Sequence, residues 1–405
     1  MTDTIVIGAG LAGLGAALRL AQGGQTVTLL THGLGGLQLG QGTIDVLGYD
    51  DQPVDRPFDA LPAFVAGHPD HPYARFTPSQ VKAAVDWLAE LIPDQLVAGD
   101  GANHPVPTAL GAMRPTYLVQ PSMVWPHPTT VAVVGPRQLR DFYPTLVAAN
   151  LERTAGVTAT AYHIDLPARP GEADSAPVVY ATALDDPAFL KRFAGLTAKV
   201  IGKEDAVLLP GVLGHRTNAC ARLAEALGRP VVEAHLAPPS IPGLRLNEAL
   251  TALATSLRVR VILGSKVTGF EAAGGRVAAV TLHQAGRDQV YAADQFVYAP
   301  GGFESGALEL DSYGHVTEAL FGLPVLGADR EDLITGDFWA DQALFATGVG
   351  VDAAMRPLAG ATPAYDNLYV AGGLLAGAVR WTEKSGDGIA VTSAVAAADA
   401  ILRGE

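Results

Sequence analysis

Cysteine is nearly absent from this chain: 405 residues contain one, Cys220. No disulfide can close within the chain, and no Cys-ligated iron–sulfur cluster or structural zinc site can be built from it. That usage fits a reducing cytoplasm, and Cys220 reads as a small buried hydrophobe. Charge is scarce as well. Charged residues make up 17%, with 27 Lys and Arg against 41 Asp and Glu, for a formal net charge of −14. Such a chain repels phosphate backbones and anionic lipid, which argues against nucleic-acid and direct membrane-surface binding. A small anion remains admissible, because a local Arg or Lys can override the global sign. No uninterrupted apolar run reaches the ~20 residues of a membrane helix. The Ala-rich segment from Gly388 to Leu402 falls short and carries Asp399. The amino end opens directly into a strand pattern and does not read as a signal peptide.

Apolar residues, at 49%, and glycines, 46 of them, are plentiful. The first permit a large core, and the second suit tight loops and close helix–sheet packing. The length predicts more than one domain. TIVIG at 4–8 reads as a buried parallel strand, 11–23 as a helix and 26–30 as the next strand. Residues 50–78, rich in Pro, Asp and His, are expected to be surface loops, followed by a helix over 79–92. VAVVG at 131–135, residues 157–166 and AVLLPG at 206–211 read as strands, with helices near 139–151 and over 217–227. A helix over 243–258 leads into a β-rich stretch with a hairpin at Gly274–Gly275. QFVYAPGG (295–302) and NLYVAGG (367–373) are strands ending in glycine, and a last helix runs from about 387 to 402. The predicted fold class is α/β. A Rossmann-like FAD/NAD(P)-binding core, a parallel sheet with helices on both sides, comes from 1–50 plus 260–405. An inserted α+β region spans 51–259, part of it returning to the core.

The strongest motif is VIGAGLAGL, which sets Gly8, Gly10 and Gly13 as G-x-G-x-x-G between a strand and a helix. Gly8 allows the tight turn, Gly10 lets a pyrophosphate approach the backbone, and Gly13 lets the helix pack on the strand. The helix start, with Leu11 and Ala12, turns unpaired N–H groups and a positive dipole end toward the phosphates. A glycine-rich turn in an unrelated α/β protein would carry the triplet without this β-α-β setting. One part is missing. An acidic residue normally ends the second strand, ~20 residues on, and holds the adenosine ribose. Here Thr31 stands there, followed by His32. A mononucleotide, or FAD held by other contacts, follows from that.

Two later signals favour a flavin over a nicotinamide. Pro300, Gly301 and Gly302 end one strand, Gly372 and Gly373 another, and Gly386, Asp387 and Gly388 open the last helix. That helix end can stabilise negative charge on the pyrimidine side of a reduced flavin. Each glycine pair alone would be an ordinary strand-to-helix turn.

The motifs also carry a resemblance. VIGAGLAGL, GQGTIDVLG (40–48), HPYARF (71–76), LGAMRPTYL with VWP (110–126), APPSIPGLRLNEAL (237–250), YAPGGFESGAL and GDFWADQALFATGVGVDAAMRP (336–357) run nearly end to end. Together they resemble the B-type subunit of anaerobic glycerol-3-phosphate dehydrogenase, its flavoprotein subunit. The segment RWTEKSGDGIA departs from the Gly- and Cys-rich version of some members. The resemblance implies an FMN-binding subunit, while the residues themselves leave FMN and FAD open. It implies a complex with two partners, a larger FAD-bearing catalytic subunit and a Cys-rich iron–sulfur subunit. That complex would oxidise sn-glycerol 3-phosphate to dihydroxyacetone phosphate with a quinone as acceptor. The resemblance also implies a cytoplasmic protein, peripheral to the membrane through a partner.

Arg114, Arg245 and Arg356 sit in these motifs as anion-binding candidates, for flavin phosphate or glycerol phosphate, or as structural arginines satisfying loop carbonyls. Arg245 is the best placed of the three. Asp45 would bind a ribityl hydroxyl or cap a turn. His68 and His71 read as solvated loop histidines. His215 and His235, near strand ends, suit a base for alcohol oxidation. Lys384 is expected near the flavin or in solvent. No spacing suggests a metal site or a hydrolase triad. Two rival functions stand beside the flavoprotein subunit: a stand-alone FAD-dependent oxidoreductase of the fumarate-reductase type, and a scaffold that has lost its flavin. Thr31 counts against the first, the intact glycines against the second.

Overall fold

The computed structural model describes residues 3–405 except 217, 285, 338 and 341. Phe338 and Asp341 of the GDFWAD motif, and Thr217 at the predicted start of a helix, therefore lie outside the described residues.

The amino end forms β1 (Thr4–Ile7), α1 (Leu11–Gln22) and β2 (Val27–Thr31). Every residue of both strands is buried. That is why their sequences run apolar without alternation: helices cover both faces of a parallel sheet. The chain returns through α2 (Ile241–Ser256) to β3 (Arg260–Leu263), then β4 (Gln295–Tyr298), β5 (Leu368–Val370) and α3 (Gly386–Arg403). The five strands are parallel in the order β3-β2-β1-β4-β5. The order reverses between β1 and β4, so a crevice opens there beyond the carboxyl ends of the strands.

Helices α1 and α3 pack together through small residues. A side chain on Gly15 would just touch Ala394, and one on Gly23 would meet Leu402. Arg19 closes the pair with an ion pair to Asp399 at 2.7 Å. The hairpin predicted at Gly274–Gly275 joins Lys266–Ala273 to Arg276–Gln284, and Arg287–Ala292 completes a three-stranded antiparallel sheet.

A second parallel sheet holds Thr158–Ile164, Thr130–Pro136, Ala206–Pro210 and Val231–Ala234 in that order. It has its own apolar core, which runs from Trp125 to Leu236 in sequence. The stretch 51–259 divides between the two cores. Phe58, Leu61, Phe64, Val81, Val85, Leu88, Tyr117 and Leu118 pack with the first sheet, as do Leu246 and Leu250 of α2.

One expectation needs correction. Residues 50–78 are not all loop: Pro57–Gly67 is a helix. Pro57 takes its first turn, where no N–H is needed, and Phe58, Leu61 and Phe64 are buried at helical spacing. The polar and Pro-rich neighbours mask that stripe. Helices Pro177–Leu184 and Pro187–Val200 also escape the sequence pattern, although Asp186 caps the second by accepting the Ala188 N–H at 3.1 Å. The helix expected from Ser79 starts at Pro78 behind a Thr77–Gln80 capping box.

Candidate functional site

A cavity of about 900 Å³ occupies the crevice between β1 and β4. Of the glycine-motif positions, Gly8, Gly10, Leu11, Ala12, Thr31, Gly301, Gly372, Gly373, Gly386 and Asp387 all line it. The two chain ends thus meet around one space.

Three motif glycines do not line the cavity and serve packing. A Cβ on Gly13 would stand against the Gly8 carbonyl, so it brings α1 down onto the end of β1. A Cβ on Gly388 would strike the Tyr73 hydroxyl, and one on Gly302 would crowd Arg380. Gly8 itself has φ +108 and abuts the Ala299 carbonyl, which only glycine tolerates. Gly10 differs: a Cβ there meets nothing within 4 Å. Its missing side chain leaves space in the cavity, not space for protein. Gly10 is the extended N-cap of α1 and carries no capping side chain. The first N–H groups of α1 therefore remain available to an anion.

At the end of β2, Thr31 turns its hydroxyl to the Gly33 carbonyl at 2.6 Å, away from any ligand role as donor. Ser265 lies beside it on the cavity wall, 2% exposed, with no partner for its hydroxyl oxygen. Of the residues that line the cavity, Glu304 and Asp387 are the acidic ones, and both sit away from β2.

At the other end Asp387 opens α3 and accepts the Asp45 N–H at 3.2 Å. Burial, then the charge of Asp45, pushes its carboxyl up to about 7. Asp45 is buried behind it. Arg114 donates to both its oxygens, at 2.8 and 2.9 Å, and Thr116 donates at 2.5 Å. Burial holds the Lys384 ammonium below its usual range. His235 is buried in the same neighbourhood, and burial followed by the charge of Arg114 pulls it down to about 3. It is therefore neutral and a weak base, and its Nε2 has no partner.

The three sequence-derived arginines are placed elsewhere than the cavity wall, and each has a carboxylate of its own. Arg114 holds Asp45 and Thr43, Arg245 holds Glu233 at 2.5 Å, and Arg356 holds Asp352 at 2.9 Å. Guanidiniums neutralised by internal carboxylates have little left for a phosphate. The arginine that does line the cavity is Arg380. It pairs with Glu304 at 3.2 Å and occupies the room left by Gly302 and Gly373. The glycine pairs are legible in the sequence, but their use, making way for a guanidinium between strand ends, has no local signature.

The histidines sort in the same way. His71 is buried, not solvated. Its Nδ1 accepts the Tyr73 N–H at 3.1 Å, so its Nε2 carries the proton toward Glu383, also at 3.1 Å. His68 bonds the Phe64 carbonyl through Nδ1 at 2.8 Å, and His215 lies 3.4 Å from the Thr182 hydroxyl.

The residues present fit a flavin dinucleotide. A glycine cradle and the amide-rich start of α1 suit a pyrophosphate, the start of α3 suits the pyrimidine edge of a flavin, and an unpaired buried hydroxyl awaits a partner. Fold and cavity together define a Rossmann-type flavoprotein oxidoreductase. A family model described as "FAD binding domain" matches residues 3–389. The B-type subunit of anaerobic glycerol-3-phosphate dehydrogenase from Yersinia enterocolitica is 32% identical over 99% of this chain and 98% of its own length. The Vibrio cholerae protein of the same name is 30% identical over 99% and 96%. A flavocytochrome c3 fumarate reductase structure aligns at a TM-score of 0.47 and 11% identity, covering 99% of this chain and 78% of that one. The chain belongs to the FAD-binding domain family and, within it, to the family of B-type subunits of anaerobic glycerol-3-phosphate dehydrogenase. The match over 3–389 moves the cofactor expectation from FMN to FAD. Among the described residues no helix is long and apolar enough to cross a membrane.

Proposed function

We propose that this chain is the FAD-carrying B-type subunit of a quinone-linked glycerol-3-phosphate dehydrogenase. In it, the chain passes electrons between a larger FAD-bearing catalytic subunit and an iron–sulfur subunit. The observation that carries this reading is the single cavity made by Gly8, Gly10, Gly301, Gly372 and Gly386 from both ends of the chain.

A bound FAD supplies the electron-accepting ring chemistry. The chain's own part is to hold and tune. The start of α1 and Gly10 would hold the pyrophosphate, and the amides at the start of α3 would stabilise negative charge on the flavin's pyrimidine edge. Asp387, with its raised proton affinity, holds a proton at its carboxyl near neutral pH. Sn-glycerol 3-phosphate is assigned to the catalytic partner, because Arg114, Arg245 and Arg356 are each paired internally. The same pairing weighs against the stand-alone fumarate-reductase reading, which needs a free substrate arginine. Attachment to the cytoplasmic face of the membrane falls to a partner.

The test is to purify the chain alone and together with both partners. The expected result is a yellow chain that releases FAD on heating and oxidises little glycerol 3-phosphate with an artificial acceptor until the partners are added. Robust activity of the chain alone overturns the relay. A colourless chain that takes up no flavin overturns the reading altogether, and release of FMN overturns its cofactor.

A further inference from the structure

An adenine dinucleotide lying on this glycine motif places its adenosine ribose at the end of the second strand, where a carboxylate normally receives the two hydroxyls. Thr31 stands there, and its hydroxyl is already committed to the Gly33 carbonyl at 2.6 Å. The neighbouring strand supplies what β2 does not. After β3 the chain bends over the end of β2. The Gly264 and Ser265 N–H groups both donate to the Thr31 carbonyl, at 3.0 and 3.3 Å. That bend is possible because Gly264 takes φ +90. It sets Ser265 directly beside Thr31, on the wall of the cavity.

Ser265 is 2% exposed, and its hydroxyl has no hydrogen-bond partner in the chain. A buried hydroxyl left unpaired costs free energy. A hydroxyl can both donate and accept, which suits a ribose diol. We propose that Ser265 receives the ribose of the adenosine half of FAD, replacing the carboxylate that Thr31 does not provide. The proposal rests on the FAD reading above. It makes Ser265 a residue that favours the dinucleotide over FMN, since FMN has no adenosine and so no ribose diol to offer.

The test strips the full-length chain of flavin and measures its affinity for three probes: FAD, FMN, and an FAD analogue with 2′,3′-dideoxyribose in the adenosine half. Loss of one neutral hydrogen bond corresponds to an affinity change on the order of fivefold. Ser265→Ala is expected to weaken FAD by that factor and to leave FMN and the dideoxy analogue unchanged. Ser265→Cys, similar in size and a poorer donor, is expected to fall between wild type and Ala. Equal FAD affinity in wild type and Ser265→Ala overturns the proposal while leaving the FAD reading intact. Equal weakening of all three probes overturns it as well, because that marks a structural role. A stripped wild-type chain that takes FMN and no FAD overturns both.

Discussion

Replacing Asp387 by Asn isolates the electrostatics of the cavity floor. Asp387 sits in the first turn of α3, where the helix dipole favours a carboxylate. It also accepts the Asp45 N–H. Burial and the charge of Asp45 oppose this and win, while Arg114 and Lys384 pull the other way. Tyr73 faces the same group, its hydroxyl donating to the Val46 and Ser385 carbonyls, and Glu383 stands behind it on His71. The outcome is a carboxyl pushed from 3.8 in the unfolded chain to about 7 in the folded one. A raised folded value means that, between those two pH values, the native state holds a proton that the unfolded state has released. Stability from this group is therefore full below 3.8, falls as pH rises, and has levelled off once pH passes 7. About three units at 1.36 kcal/mol each give a ceiling of about 4 kcal/mol. Asp387 is only half-buried, because it faces the cavity, so about 2 kcal/mol is the working figure after solvent screening. Urea unfolding of the flavin-free chain at about pH 5 and about pH 8.5, followed by tryptophan fluorescence, spans roughly two-thirds of that window. Wild type should lose about 1.5 kcal/mol more than Asp387→Asn between those two conditions. An equal loss in both proteins refutes the assignment of the proton to Asp387.

Three further outcomes follow from the same geometry. Gly8→Ala should cost about 2 kcal/mol or more of stability, since it combines φ +108 with a clash at the Ala299 carbonyl. Gly10→Ala should leave the melting temperature unchanged and weaken flavin binding, because its Cβ meets only cavity space; a lowered melting temperature for Gly10→Ala would contradict that. Arg245→Ala strands Glu233, which is 0% exposed and also receives Ser122 and the Leu213 N–H, so a loss of about 3–5 kcal/mol is expected. Arg356→Ala breaks a half-exposed pair and should cost under about 1 kcal/mol; similar losses for the two would show that burial is not what separates them. Cys220 is buried and its thiol is pushed up to about 12 by burial, so a thiol reagent should label the native chain only as fast as it opens. Rapid labelling in native buffer would contradict this.

The first sheet is legible in the sequence because its signals are local and mutually consistent. TIVI followed by glycines, an Ala- and Leu-rich helix and VTLLT carry strand, turn and helix chemistry within thirty-one residues. Gly274–Gly275 is a hairpin for reasons contained in the two residues. Pro57–Gly67 is hidden for the opposite reason. Its buried stripe of Phe58, Leu61 and Phe64 is three residues long and is interrupted by Pro62, so composition outweighs periodicity. The division of 51–259 between two cores is equally hidden. Nothing in Phe58 or Tyr117 says which sheet it will face, yet their rings meet at 4.8 Å against the first.

The site divides along the same line. Glycines announce a cavity, because their backbone freedom is written at one position. Charged side chains do not announce their partners. Arg114 and Asp45 are 69 positions apart and Arg380 and Glu304 are 76, and only the fold reveals which guanidinium is spent on the interior and which reaches the cavity wall. Thr31 makes the point most sharply. Read along the chain, it is a missing carboxylate, which argues for a mononucleotide. In the fold, Ser265 stands at the same position, 234 residues later and one strand over, held there by the Gly264 and Ser265 N–H bonds to the Thr31 carbonyl. An absence at one sequence position excludes a function only if no other segment can reach that point in space. Parallel sheets, whose neighbouring strands come from distant parts of the chain, make such substitution easy.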